Sequence, residues 1–143
     1  MLAQAFPVYA DNTINMTMPY SFTYFNTCPA ILDVVPVSGF QHIVLHSTTT
    51  TNGAIRFNEL DNAPALTGTG SPSMDSYVVD QLDKFFIDME PSGTTVTDIL
   101  EHIYVISKGP SPNFMHTLQI HLTINSQGVP TATVNDLDDR CTG

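Results

Sequence analysis

From Ile14 to Tyr24 every second side chain is apolar: Ile14, Met16, Met18, Tyr20, Phe22 and Tyr24 alternate with Asn15, Thr17, Pro19, Ser21 and Thr23. A period of two puts one set on each side of an extended chain, so this stretch predicts a strand with one buried and one wet face. After a break at Asn26-Thr27-Cys28-Pro29, residues 30–37 are apolar on both sides, with Ile31, Val35 and Val37 alternating against Leu32 and Val34. Residues 40–51 form the next strand candidate, and Asn52-Gly53 closes it. That pair suits the two positive φ values of a two-residue type I′ turn and predicts that residues 54–60 fold back on residues 46–51. Near the C-terminal end Leu118, Ile120, Leu122 and Ile124 alternate, Ser126-Gln127-Gly128 turns the chain, and residues 129–135 return as a second hairpin.

The middle of the chain is less regular. Residues 61–74 contain Pro64, Gly68, Gly70 and Pro72 and predict a long loop of the kind that serves surface contacts. Val78, Leu82, Phe85, Phe86 and Met89 fit helical spacing, yet Tyr77-Val78-Val79 and Phe85-Phe86-Ile87 favour strands. With strands on both sides, two short strands are expected over residues 75–90. Thr95-Val96-Thr97-Asp98 has the form of a helix cap and predicts one short helical turn before a strand over residues 102–107.

Seven to nine strands separated by turns point to an all-β fold: an antiparallel β-sandwich, jelly-roll-like in preference to immunoglobulin-like, possessing at most one short helix. The immunoglobulin signature of Cys, Trp and Cys is missing, since the chain has no Trp. At 143 residues the length suits one domain. The division expected is an N-terminal arm or first edge strand over residues 1–13, a single sandwich domain over residues 14–135, and an acidic C-terminal tail over residues 136–143.

Charge narrows the functional classes. Four Lys and Arg stand against fourteen Asp and Glu, a net charge of −10. Arg56, Lys84, Lys108 and Arg140 are scattered, so neither nucleic acid nor an anionic membrane is an expected partner. Residues 1–10 lack a basic start and are interrupted by Pro7, which argues against a secretory signal. They read as a first strand or as an apolar arm packed on a neighbouring subunit. Leu2, Phe6, Val8 and Tyr9, together with Leu66 of the expected loop, are the candidate subunit-interface residues. A bridge between Cys28 and Cys141 would close a loop of roughly 110 residues. Without a signal segment the expectation is two free thiols.

Candidate chemistry is sparse. His42 and His46 lie on one strand face about 13 Å apart at strand rise, too far to share a metal ion. His116 and His121 fall on opposite faces, as do Glu101 and His102. A cupin-like or glycosidase-type enzyme would need two or three of His42, His46, Glu59, His102 and His116 to converge in one cavity. Nucleophile-elbow and phosphate-loop motifs are missing. Asp80, Asp83, Asp88 and Glu90 read as a solvated acidic face. Asp136, Asp138 and Asp139 are weak candidates for calcium, and no cofactor is expected. What remains is a non-enzymatic structural or assembly protein: a capsid decoration (cement), minor coat or fibre protein on the outer surface of a virion. It would bind itself, as a trimer, and a larger shell. The alternative is an extracellular glycan- or calcium-dependent binding module.

Overall fold

A computed structural model describes residues 11–142. Seven strands follow one another: β1 Asp11–Asn26, β2 Asp33–Thr49, β3 Ile55–Thr69, β4 Ser76–Met89, β5 Thr95–Ser107, β6 Asn113–Ile124 and β7 Pro130–Thr142. Each pairs antiparallel with the next, so one sheet runs β1 to β7 in chain order, and no helix occurs among the described residues. The expectation of an antiparallel all-β chain holds. The expected sandwich, jelly-roll-like or immunoglobulin-like, is not borne out: the described strands form one sheet, which is not closed.

All the tight turns gather at one end. Thr50–Ala54, Glu90–Thr94 and Asn125–Val129 share one hydrogen-bond pattern, in which the first residue's N–H reaches the fifth residue's carbonyl and the fourth residue's N–H reaches the first residue's carbonyl. The fourth residue is Gly53, Gly93 or Gly128, with φ of 87°, 89° and 78°. This is the three-residue loop built on a type I turn followed by a left-handed glycine. The first hairpin therefore pairs as expected, Thr49 opposite Ile55, but Asn52 does not take positive φ and the turn is not type I′.

β3 occupies most of the stretch read as a loop. Register shifts on both of its sides, between Ser38/His42 and between Ala63/Leu66, mark one extra residue around Pro64-Ala65. Pro64 has no N–H to give to a ladder, and a bulge is where a sheet tolerates that. Ala65 sits at φ 54° with its N–H held by Asp80 Oδ1 at 2.7 Å. The bulge reverses which parity faces inward, so Ala63 and Leu66 both enter the core. Residues 75–90 form one continuous strand, β4, and residues 95–98 begin β5 instead of a helical turn. β7 extends to Thr142, so the segment read as an acidic tail is largely strand.

The opposite end is closed by polar bonds and one covalent link. Asp33, fully buried, accepts hydrogen bonds from the Ser73 N–H at 3.0 Å, the Ser73 hydroxyl and the Tyr77 hydroxyl at 2.7 Å. Asn26 donates to the Pro112 carbonyl at 2.7 Å. Asp75 Oδ2 accepts from the Ser111 N–H at 2.9 Å. Cys28, just after β1, is disulfide-bonded to Cys141 of β7, with Cα atoms 5.5 Å apart. The expectation of free thiols is therefore overturned. The sheet curls until its first and last strands approach at this end, a proximity that no local sequence signal carries. Inside the curl lies the core: Tyr24, Val35, Val37, Ala63, Leu66, Tyr77, Val79, Ile103 and Val105, with Tyr20 and Phe114 packed against it.

Candidate functional site

Register defines the inner face strand by strand, because directly paired residues project to the same side of a sheet. Tyr24 pairs with Val35, Gln81 with Ile103 and Val79 with Val105, which puts the alternating apolar side of β1 on the inner face as the sequence predicts. The face is divided by a polar belt. On β1, the Tyr20 hydroxyl donates to Gln81 Oε1 at 3.1 Å, and the Tyr24 hydroxyl donates to the same oxygen. Gln81 Nε2 in turn donates to Asp83 Oδ2 at 2.5 Å. Asp83 stands opposite Asp61 of β3 and opposite Glu101 of β5, so three carboxylates form one row across adjacent strands. Glu101 Oε1 lies 3.1 Å from His116 Nε2, and His116 Nδ1 lies 2.6 Å from Asp139 Oδ1 of β7. The belt thus reaches both edge strands, from Tyr20 and Tyr24 to Asp139.

Its centre is electrostatically costly. Like charges directly opposite each other destabilise a sheet. Asp83 is only 6% exposed, and neither its Oδ1 nor Asp61 Oδ1 has a hydrogen-bond partner among the described residues. Burial, opposed by the Gln81 hydrogen bond and reinforced by the nearby Glu101 and Asp61 charges, pushes the Asp83 carboxyl up to about 6. Burial together with the charge and hydrogen bond of Glu59 pushes Asp61 up to about 6 as well. Burial also pushes the Tyr24 hydroxyl far above the usual phenol range.

Along the β1 edge and towards the hairpins the inner face is largely apolar, interrupted by Glu59, and among the described residues no further element lies over it. Ile14 is 46% exposed, Met16 44% and Met18 43%. Ile43 and Leu45 of β2, Phe85 and Ile87 of β4 and Ile99 of β5 are only half-buried beside them. The strand carrying the exposed residues is also an edge of the sheet, with no charged side chain from Asn12 to Asn26. The other edge, β7, carries Asp136, Asp138 and Asp139.

The outer face is shallow. One groove of ≈ 470 Å³ is lined by Asn58, Leu60, Lys84, Phe86, Asp98 and Leu100 among others. A second of ≈ 340 Å³ is lined by Asn62, Asp80, Leu82, His102 and Tyr104. His42 bonds Asn15 at 2.6 Å, His46 bonds Thr13 at 3.0 Å, and His102 bonds Thr117 at 3.1 Å, all through outer-face side chains. His121 pairs with Asp98 at 2.5 Å on that same face. The residues that an enzyme would need are therefore split: His42, His46 and His102 lie outside, and Glu59 and His116 inside. Glu101 and His102 diverge, as do His116 and His121, in agreement with their spacing.

Of the candidate interface residues, Leu2, Phe6, Val8 and Tyr9 lie outside the described residues. Leu66 is fully buried in the core and is not a surface side chain. Asp136 and Asp138 project outward from β7, where Asp138 pairs with Arg140 at 2.5 Å, while Asp139 turns inward to His116. No group of three or more His, Cys, Asp or Glu among the described residues is placed to hold a metal ion. No motif marks the belt residues Asp61, Gln81 and Glu101, and Asp83, read from the sequence as part of a solvated acidic face, is instead buried. Their only sequence signal is a run of acids at inward parity, visible once the strand phase is known. No family model, curated protein or solved structure matches the chain.

Proposed function

We propose that this protein is a non-enzymatic assembly component, of the kind that decorates, coats or extends a virion shell, joining copies of itself and a larger protein lattice. One observation carries this: the sheet's curl buries a core at its closed end, while Ile14, Met16 and Met18 on the inner face of the β1 edge are left exposed among the described residues. A sheet with one hydrophobic face is stable when that face packs against another layer. Ile14, Met16 and Met18 retain nearly half their surface, and contiguous apolar surface of this sort marks an interaction site. The two edges, unpaired among the described residues, add backbone groups that a neighbour can complete. A net charge of −10 suits an outer surface better than a genome-facing wall. The Cys28–Cys141 bridge suits a particle that functions outside a reducing compartment. Shell and virion enter by analogy of architecture and charge.

The test is light scattering on the intact chain over a hundredfold range of concentration, beside the double variant Met16→Glu/Met18→Glu. Both side chains are exposed, so the fold is expected to survive, as circular dichroism would register. The intact chain should associate, as a trimer on this reading, and the variant should remain monomeric. An intact chain that stays monomeric throughout removes self-association from the proposal.

A further inference from the structure

We propose that residues 1–10 of one copy are the segment that covers the exposed apolar side chains of β1 in the next, laying Leu2, Phe6 and Val8 over Ile14, Met16 and Met18. This rests on the assembly function proposed above and names the piece of the second copy that makes the contact. Residues 1–10 lie outside the described residues, but their sequence carries no charged side chain. In extended form Leu2, Phe6 and Val8 share one side, as Ile14, Met16 and Met18 do. The register fixes where the segment leaves the sheet. Asp11 stands opposite Thr48, and β2 ends at Thr49 and turns over residues 50–54. At that register β2 has no strand residue to set opposite residues 1–9. The segment therefore starts at the hairpin end, three residues from Ile14, and spans about 33 Å if extended.

Reach and charge choose the second copy's segment over the alternatives. Pro7 is the one turn-forming residue among residues 1–10, and Asp11 and Asn12 are already held in the β1–β2 ladder. A chain that turned back on itself at Pro7 would use about 13 Å to regain Asp11, leaving residues 1–6 about 7 Å beyond it at strand rise. Met16 and Met18 lie about 17 and 23 Å along β1, out of reach of their own segment. A neighbour's segment has no such limit. Charge disfavours the other contact between copies. Two inner faces laid together would bring Glu59, Asp61, Asp83 and Glu101 of each against those of the other, on chains of net charge −10. A neutral segment brings no like charge to Glu59, the acid that interrupts the exposed region. The contact is heterologous, segment of one copy to face of the next, and it closes into a ring where the rotation permits, a trimer on this reading.

Full-length chains test this by light scattering, with circular dichroism to register the fold. Phe6→Glu/Val8→Glu alters the segment and leaves the face; Met16→Glu/Met18→Glu alters the face and leaves the segment. Each alone should stay monomeric where the intact chain associates. Mixed in equal amounts they should form a one-to-one complex, the sound segment of one on the sound face of the other. A second measurement titrates a synthetic peptide of residues 1–10 into the Phe6→Glu/Val8→Glu chain and follows amide chemical shifts in NMR spectra. The shifts should saturate and centre on residues 14–18, and the Phe6→Glu/Val8→Glu peptide should bind at least tenfold more weakly. Association of the Phe6→Glu/Val8→Glu chain as strong as that of the intact chain would overturn this inference and leave the assembly function standing. So would a mixture that stays monomeric while the intact chain associates, or peptide shifts that avoid β1. An intact chain that is monomeric at every concentration removes self-association and this inference together.

Discussion

Asp83 shows how one side chain can set a pH response. Its carboxyl, like that of Asp61, titrates near 6 in the folded chain and near 3.8 when unfolded. Between those values the native state binds more protons than the unfolded one, so stability falls as pH rises through that window. Below about pH 4 the penalty vanishes, because both states are protonated. Asp33 works in the opposite sense. Burial pushes its carboxyl up, but the hydrogen bonds from Ser73 and Tyr77 outweigh this and hold it below the usual range. Its contribution is present above pH 3.8 and is lost as pH drops further. Urea unfolding should therefore give a larger free energy at pH 4.5 than at pH 7.5. Asp83→Asn should flatten that slope and stabilise the protein at pH 7.5 by about 1–3 kcal/mol, since an amide keeps the Gln81 bond without a buried charge. A slope unchanged in Asp83→Asn would mean that another group carries it. None of this was legible in β4 alone. Tyr77, Val79, Phe85 and Met89 share one parity with Gln81 and Asp83, while Val78, Leu82 and Phe86 share the other with Asp80 and Asp88. With apolar residues on both sides, alternation could not say which acids were inward.

The glycines of the three hairpins and of β3 separate two causes of the same preference. Gly128 sits at φ 78° with nothing within 4 Å of where a Cβ would stand, so Gly128→Ala meets only the left-handed backbone penalty. That should cost about 1–2 kcal/mol. Gly68 has no positive φ, but a Cβ there would fall 2.0 Å from the Pro36 carbonyl oxygen across the β2–β3 pairing. Backbone must move to admit it, and Gly68→Ala should cost about 3 kcal/mol or more. Denaturant midpoints of the two variants give the comparison, and a smaller loss at Gly68 would show that β2 and β3 are farther apart there. The position of the turn glycines could be read from the chain, because a left-handed residue is needed in either hairpin type. The turn type could not, because a type I turn with a following glycine asks for only one positive φ where Asn52-Gly53 offered two. The β3 bulge was the harder case. Pro64 and Gly68 individually disfavour a strand, and only the pairing of β2 and β4 on either side restores one.

Across the whole molecule, an antiparallel all-β chain followed from alternation and the turns between, but the bounds of β3, β4 and β5 and the number of layers did not. A period of two says that one face is covered without saying what covers it. Here the sheet's own curl buries Tyr24, Val35, Val79 and Val105, while Ile14, Met16 and Met18 on the β1 edge stay exposed among the described residues. The Cys28–Cys141 bridge is the covalent expression of that curl. It joins residues 113 apart in sequence, on the two ends of a seven-stranded meander, where no ladder pairs β1 with β7. In the chain-entropy picture, cutting a loop of that length should destabilise the chain by about 4–5 kcal/mol. For a chain of this size that is a large share of the whole folding free energy. Cys28→Ser/Cys141→Ser should lower the guanidinium midpoint by the corresponding amount, and wild type in excess reductant should match it. The loss should also be uneven. β4 is paired on both sides and lies beneath the core, whereas β7 keeps only β6 and the bridge. Amide exchange should therefore accelerate first through residues 130–142 and least through Tyr77 and Val79, as expected when a weakly held element opens on its own. Uniform acceleration along all seven strands would instead mean that the bridge stabilises the sheet only as one cooperative unit, with the closed end adding no local hold on β7.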